Sequence, residues 1–332
     1  MIKNKINVKL SVPVKCYQMY AYPLAVIFKK EKEAENWCFS NFINFRLARN
    51  GYIVDVRYTE PRYEKCYYYS ERLVSQSLFL DESLGNVKEF IIKCIDNQDV
   101  VSLFVDEFYI NHRIRYQKEH KVHQIMVNGY DKDKNIFYIL GYNENRKYTE
   151  ATIPMEEFIH GFMNCPVIAN LSEYIKIFRI IETDKRCELS LTDFKKELLN
   201  FYNSSTYVNL DQYEQIYGLK VYDAFIETVN DYGYEYENYP MLYMLGEAKQ
   251  NMFDKLKLLE CFGWDFTYEK TLYKKLQNLM QSNFKTFSKR IYIAKDSKRF
   301  RDVSNRIVND FQRIKVIEEE CVYRILNKME YQ

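Results

Sequence analysis

The sequence lacks long apolar runs and a recognisable targeting segment. No stretch of the 332-residue chain approaches the roughly 18 consecutive apolar residues that a membrane-spanning helix requires. Residues 1–10 alternate charged and aliphatic side chains without a continuous apolar core, which is not the pattern of a secretory signal peptide. These features predict a cytoplasmic protein with no membrane partner.

Paired cysteines are absent and histidines are few. No CxxC pair occurs, which argues against a zinc ribbon. In a reducing compartment an even number of thiols does not indicate disulfides, so most cysteines are expected to be small buried residues. The eight cysteines lie at positions 16, 38, 66, 94, 165, 187, 261 and 321, and the four histidines at 112, 120, 123 and 160.

The chain also lacks an excess of one charge. It has 48 basic and 46 acidic residues, and no basic tail or stripe is large enough to neutralise a phosphate backbone, so no nucleic-acid partner is expected. Hydrophobic residues make up 47% and charged residues 28% of the chain, which is enough apolar material for ordinary cores. Disordered and fibrous classes are therefore excluded.

The chain divides into two parts with different patterns. A protein of this length usually forms more than one domain. Short helical and strand patterns alternate up to about residue 162, and the β signal largely disappears beyond Cys165-Pro166. We expect an α+β protein with a mixed domain over residues 1–165, built from helices and an antiparallel sheet, and an all-helical domain over residues 166–332.

Individual elements follow from the spacing of apolar residues. In the first domain we predict a buried helix over 16–29 that contains Pro23, a helix over 85–97, a buried strand over 100–105, a hairpin of strands 122–130 and 135–142 around a polar turn, a strand over 147–153, and a helix over 154–162. In the second domain we predict helices over 243–262, 272–287 and 303–325 from three apolar stripes.

Cys16 and His123 form a candidate nucleophile–base pair. Cys16 opens the first predicted helix and His123 opens the first strand of the hairpin, 107 residues later (123 − 16). The thiolate is the attacking form of cysteine, and a helix N-terminus lowers the pKa of a thiol through its partial positive charge and free N–H groups. A thiol and a neighbouring base on a strand are the smallest set of groups that thiolate catalysis requires.

Three segments resemble the papain-like cysteine peptidase superfamily. They are, in order, Lys15-Cys16-Tyr17, the run VDEFY over 105–109, and the run HQIMVNGYD over 123–131. More narrowly, they are similar to the butirosin biosynthesis protein H N-terminal family, among the relatives of the bacteriocin-processing peptidases. That family shows a Cys triplet, a V-D-E-Y strand and a His strand ending in G-Y-D. The resemblance covers about residues 14 to 162.

The resemblance implies a papain-like first domain that transfers acyl groups in nonribosomal-peptide-like natural-product biosynthesis. Cys16 would take an acyl group from the thioester of an acyl or peptidyl carrier protein and pass it to a small amine, with no cofactor. Transfer of the acyl group from the carrier sulfur to the Cys16 sulfur is nearly isoenergetic, because one thioester replaces another. Attack of an amine on the acyl-enzyme then gives an amide, and attack of water gives hydrolysis. His123 would accept the proton of Cys16 and later that of the amine.

The group that orients the His123 ring is left open. Papain-like enzymes use an Asn or Asp on the next strand, and Asn143 ends the hairpin partner of the His123 strand. A turn Asn can equally satisfy local backbone groups. We predict Asn143, with Asp106 and Asp131 as the alternatives.

The chain departs from the peptidase pattern in three places. Residues 9–15 contain no oxyanion glutamine, and Gly141-Tyr142-Asn143 replaces the usual Asp-Pro, so both departures argue against an active protease without excluding acyl transfer. Pro23 would break the nucleophile helix, at a cost of about 3 kcal/mol, unless the helix kinks.

Neighbouring polar residues do not form a second site by sequence. His120 and His123 lack further ligands at zinc spacing, so no metal is expected. Asp106 and Glu107 are adjacent strand residues that point to opposite faces, which argues against a shared acid–base site.

Two other functions stay open, a cysteine peptidase and a non-catalytic binding protein on a papain-like scaffold. The helical half contains no histidine, and we expect it to shape the acyl or carrier-docking surface. Its basic stretch is either an ordinary solvated face or a surface that attracts acidic carrier proteins. That stretch comprises Lys285, Lys289, Arg290, Lys295, Lys298, Arg299 and Arg301.

Overall fold

The computed structural model shows a mixed α+β protein with an antiparallel sheet and a helical C-terminal region. It describes residues 5–10, 18–50, 53–79, 86–143, 148–168, 172–205, 214–233, 239–288 and 297–330. The chain forms two compact units: residues 1–35 with 63–187, and residues 36–62 with 188–332. No helix in the described ranges combines the length and the apolar character needed to cross a membrane.

The described strands and helices follow in chain order. The strands are β1 Lys5–Asn7, β2 Phe45–Asn50, β3 Ile53–Tyr58, β4 Tyr69–Ser75, β5 Val100–Asp106, β6 Val122–Asp131, β7 Ile136–Tyr142, β8 Tyr148–Pro154, β9 Tyr174–Ile180 and β10 Glu214–Tyr217. The helices are α1 Gln18–Ile27, α2 Glu31–Phe39, α3 Val87–Asp96, α4 Met155–Met163, α5 Leu191–Tyr202, α6 Lys220–Tyr232, α7 Tyr239–Glu260, α8 Thr267–Ser288 and α9 Lys298–Lys328.

The first unit is built around an antiparallel sheet. Its strand order is β4-β9-β5-β6-β7-β8, and β1 pairs with β6 as well. The central strand β5 is buried along nearly its whole length, as its continuous run of β-forming residues predicts. Helix α3 packs against β5 and β6, and α4 packs against β5, β7 and β8. The predicted helices and strands of this region, from 85–97 to 154–162, are confirmed within one or two residues.

A short polar turn joins β6 and β7 into a hairpin. Its polar turn is held by the Asp131 carboxylate, which accepts a hydrogen bond from the backbone N–H of Lys134 at 3.1 Å. Gly129 allows β1 to pair with β6, because a Cβ at this position would lie 2.4 Å from the Ile6 carbonyl oxygen. Met126 and Val127 of β6 pair with β5 on one side and with β7 on the other, so β6 is an interior strand at these residues.

Helix α1 is the helix predicted to begin at the nucleophile. It continues through Pro23, so the predicted break does not occur. Residues 20–27 are all buried, and α1 packs against β9. Burial of this apolar segment offsets the backbone hydrogen bond that a proline cannot make.

The second unit corrects the prediction of an all-helical domain over residues 166–332. It holds a three-stranded antiparallel sheet in the order β10-β2-β3 beside α5 to α9. Strand β9, which also lies beyond residue 165, belongs to the first sheet because it pairs with β4 and β5. The division at 165/166 therefore differs from the observed one, in which the first unit extends to Cys187 and residues 36–62 join the second.

A buried ion pair joins three helices of the second unit. The ammonium group of Lys249 on α7 donates to both carboxylate oxygens of Glu318 on α9 at 2.6 Å, and to the Tyr222 hydroxyl on α6 at 2.5 Å. All three side chains are almost fully buried, and burial lowers the pKa of Lys249. Such a pair is costly to break because the surviving charge has no solvent.

Replacing Lys249 by methionine is expected to lower the free energy of unfolding by about 3 to 5 kcal/mol, because Glu318 stays buried without its cation. Lys315→Met is the matched control: it removes a partly exposed 2.7 Å pair with Asp223, also made by α9, and should cost less than about 1 kcal/mol. Urea unfolding of the full chain measures both. Equal losses in the two variants would contradict a stabilising role for the buried pair.

Candidate functional site

The structure describes two of the three predicted site residues. Cys16 lies outside the described residues, and α1 begins two residues later, at Gln18. His123 is the second residue of β6, and Asn143 directly follows β7. The geometry of the candidate site is therefore built around His123.

The ring of His123 is hydrogen-bonded to a buried carboxylate. Its Nδ1 lies 2.6 Å from Oε1 of Glu107, a residue in the short turn that follows β5. An ionised carboxylate only accepts hydrogen bonds, so Nδ1 carries the proton and Nε2 is free to act as a base. The Glu107 side chain is 5% exposed and that of His123 is 37% exposed, which leaves the ring open to solvent on one side.

Three basic side chains surround the Glu107 carboxylate. Besides His123, Arg113 Nε lies 3.5 Å from Oε1 and Arg115 Nε lies 3.8 Å from Oε2. Burial by itself would raise the pKa of Glu107, but the hydrogen bond with His123 and the charges of the two guanidinium groups hold that pKa below its usual value. Glu107 is therefore a buried but ionised partner for an imidazole.

Arg113 links the surroundings of Glu107 to strand β7. It is buried, and its Nη1 donates to the backbone carbonyl of Tyr142 at the end of β7. Gly141 makes room for it, because a Cβ there would lie 2.8 Å from Arg113 Nη2. On the same strand as His123, the Gln124 carbonyl accepts a 2.7 Å hydrogen bond from Tyr22 of α1. Strands β5, β6 and β7 and helix α1 thus meet around His123.

The residue bonded to His123 Nδ1 is Glu107, which is not among the three residues predicted to orient the ring. Asn143 directly follows β7, and its role toward His123 stays a prediction. The two alternatives are engaged elsewhere, because Asp106 is bonded to His120 and Asp131 to the turn of the β6–β7 hairpin. Glu107 was considered in the sequence only as a possible partner of Asp106.

A second imidazole–carboxylate pair lies beside the first. The Nδ1 atom of His120 is 2.6 Å from Oδ2 of Asp106, and the ring stacks on Phe108 at 4.2 Å between centroids. The other Asp106 oxygen accepts the backbone N–H groups of Phe108 and Lys121, each at 3.0 Å. As predicted, Asp106 and Glu107 do not share a site, because each carboxylate serves a different histidine.

Among the described residues no group of three or more His, Cys, Asp and Glu side chains could hold a metal ion. The described cysteines are free thiols, of which Cys261 is exposed. No protein-family model matches the chain, and no curated protein matches it significantly. Function is therefore inferred from the chemistry that the residues around His123 can perform.

Proposed function

We propose that the chain is a thioester-dependent acyltransferase of natural-product biosynthesis, in which Cys16 is the nucleophile and His123 the general base. The observation that supports this proposal most is the 2.6 Å contact between His123 Nδ1 and the buried, ionised Glu107. A carboxylate in this position fixes the ring, selects the tautomer with a free Nε2, and stabilises the imidazolium that forms when Nε2 accepts a proton.

The proposed reaction has two steps. In the first, His123 takes the proton of Cys16, the thiolate attacks the thioester carbonyl, and the new C–S bond forms as the carrier thiol leaves with the proton from the imidazolium. In the second, an amine attacks the acyl-enzyme, His123 accepts the amine proton, and Cys16 leaves as the thiol. The products are an amide and the free carrier thiol, and no cofactor is required.

Helix α1 supports the pairing of Cys16 with His123. Two peptide units separate Cys16 from Gln18, the first residue of α1. Tyr22 of the same helix donates a hydrogen bond to the carbonyl of Gln124, the residue next to His123. The helix that follows Cys16 is therefore attached to the strand that bears the base. Its N-terminal partial charge would favour a thiolate nearby.

An acyl or peptidyl carrier protein is the proposed acyl donor, and a small amine is the acceptor. Carrier proteins are commonly acidic, and part of the basic stretch lies at the end of α8 and the start of α9. Lys285, Lys298, Arg299 and Arg301 are exposed there, whereas Lys289, Arg290 and Lys295 lie outside the described residues. This surface could attract a carrier through long-range electrostatics, which salt would screen.

The proposal is tested by giving the purified chain an acyl N-acetylcysteamine thioester together with a small primary amine, and separately an unstructured peptide. We expect amide product and one equivalent of released thiol, with no peptide cleavage. Peptide cleavage without amide formation would instead assign a cysteine peptidase. If neither substrate, nor a carrier-bound thioester, is turned over, the domain is a non-catalytic scaffold and the proposed function is wrong.

A further inference from the structure

Arg113 spans the strand that carries His123. Its Nε faces Glu107 after β5 at 3.5 Å, and its Nη1 donates to the carbonyl of Tyr142 at the end of β7. Strands β5 and β7 both pair with β6, and this one guanidinium contacts the residues at the ends of both. The side chain is 2% exposed, so solvent does not compete for these contacts.

We propose that Arg113 is a positioning residue for the proposed acyl transfer: it holds the Glu107 carboxylate ionised and aimed at His123 Nδ1. This inference rests on the proposed function for its catalytic consequence, although the contact itself can be tested without any turnover. Arg113 acts through Glu107 and His123 and does not touch the reacting atoms.

A buried carboxylate needs such a partner. Burial disfavours the charged form, and a protonated Glu107 would no longer stabilise an imidazolium at His123. The charge of Arg113 is one of the causes that lower the pKa of Glu107. The bond from Nη1 to the Tyr142 carbonyl fixes the planar guanidinium, whose Nε then lies 3.5 Å from the Glu107 carboxylate as an ion pair without a hydrogen bond.

Arg115 provides the matched comparison. It approaches the other Glu107 oxygen at 3.8 Å, but its side chain is 33% exposed and it also pairs with Glu119. Solvent screening and the competing carboxylate weaken its hold on Glu107. The two arginines therefore place the same charge near the same carboxylate but with different geometry. Comparing substitutions of the two distinguishes an effect of position from an effect of charge alone.

Gly141 offers a way to disturb Arg113 without deleting it. A Cβ at this position would lie 2.8 Å from Nη2 of Arg113 and 3.3 Å from the Tyr22 hydroxyl, so Gly141→Ala is expected to displace the guanidinium, the nearer of the two groups. Because the arginine is kept, the total charge of the site does not change. An effect of this variant on the contact between Glu107 and His123 would come from geometry alone.

The direct test is proton NMR of the exchangeable imidazole N–H groups in the full-length protein. An imidazole N–H bound to a carboxylate gives a resonance far downfield, and His123 and His120 each make such a bond. The two signals are assigned by their loss in His123→Gln and His120→Gln. We expect Arg113→Met to abolish or shift the His123 signal and to leave the His120 signal in place.

The controls make each outcome decisive. Arg115→Met should retain both signals. Arg113→Lys should shift the His123 signal less than Arg113→Met does, because lysine keeps the positive charge although it lacks the planar guanidinium group. A retained His120 signal with an unchanged His123 signal in Arg113→Met would overturn the proposal. If Arg113→Met does not fold, an unchanged His123 signal in Gly141→Ala overturns it in the same way.

Turnover supplies the second readout. Without Arg113 the pKa of Glu107 should rise, so the acid limb of the rate profile should move to higher pH, and kcat should fall at least tenfold with little change in KM. Arg115→Met should move the limb less. If Cys16 is never acylated, the proposed function fails, yet the NMR comparison still decides whether Arg113 positions Glu107.

Discussion

Cys16→Ala is expected to reduce amide formation from a thioester to the uncatalysed background, a loss of roughly 10⁴-fold or more. Alanine has no nucleophile, so neither the C–S bond to the acyl group nor the acyl-enzyme can form. The measurement is turnover of the acyl thioester and amine at saturating concentrations, together with the thermal unfolding curve. We expect the unfolding curve to be unchanged.

Two other cysteines serve as controls for this variant. Cys94 is buried in α3, where desolvation raises the pKa of its thiol to about 11, so Cys94→Ala should lower stability and keep activity. Most cysteines were expected from the sequence to be buried, but Cys261 is exposed directly after α7. Cys261→Ala should therefore change neither property. Full activity in Cys16→Ala would overturn the proposed mechanism.

His123→Ala is expected to lower kcat by about 10²- to 10⁴-fold, because both proton transfers lose their base. His120→Ala is the matched comparison, since it also removes an imidazole bonded to a buried carboxylate, three residues away. We expect a far smaller effect on rate from His120→Ala. The side chain of His120 is largely exposed, so its removal should also disturb packing little.

The comparison has a clear opposite outcome. If His120→Ala slows acyl transfer more than His123→Ala, the general base is His120 and not His123. The carboxylate bonded to the base is then Asp106 and not Glu107. If both variants lower the rate equally and only slightly, neither histidine acts as the general base. Either result leaves the fold of the sheet unaffected, because β5 and β6 pair through backbone hydrogen bonds.

Local patterns predicted much of the first unit. The apolar run of β5 and the two strands around the turn at 131–134 depend on neighbouring residues, so their positions follow from the sequence. Strand β9 was missed because its partners are distant: Ile177 pairs with Val101 and with Arg72. The segment Tyr174–Ile180 is rich in β-branched and aromatic residues, but this local signal does not show which strands it pairs with.

The three-stranded sheet of the second unit was missed only partly for the same reason, because the β2–β3 hairpin had a local signal in Asn50-Gly51. Strands β2 and β3 lie at residues 45–58, but β10, which completes their sheet, lies more than 150 residues later. Spacing within one segment cannot reveal this association. The division of the chain into two consecutive domains consequently placed residues 36–62 in the first unit.

The candidate site was predicted in part. His123 was proposed from its place at the start of a strand and from the resemblance, but Glu107 was not considered as its partner. One signal was available: Val105 pairs with His123, and Glu107 follows Val105 by two residues, on the same side of an extended chain. Arg113 could not have been found this way, because it lies in a turn-rich segment without periodicity.

The most direct measurement is the mass of the protein after brief incubation with an acyl thioester in the absence of amine, followed by mapping of the modified peptide. We expect one acyl group on wild type, located on Cys16, slower labelling of His123→Ala, and unchanged labelling of Cys261→Ser. Addition of the amine should discharge the acyl group as an amide. An acyl group that persists in Cys16→Ala, or that maps only to Cys261, would contradict the assignment of Cys16 as the nucleophile.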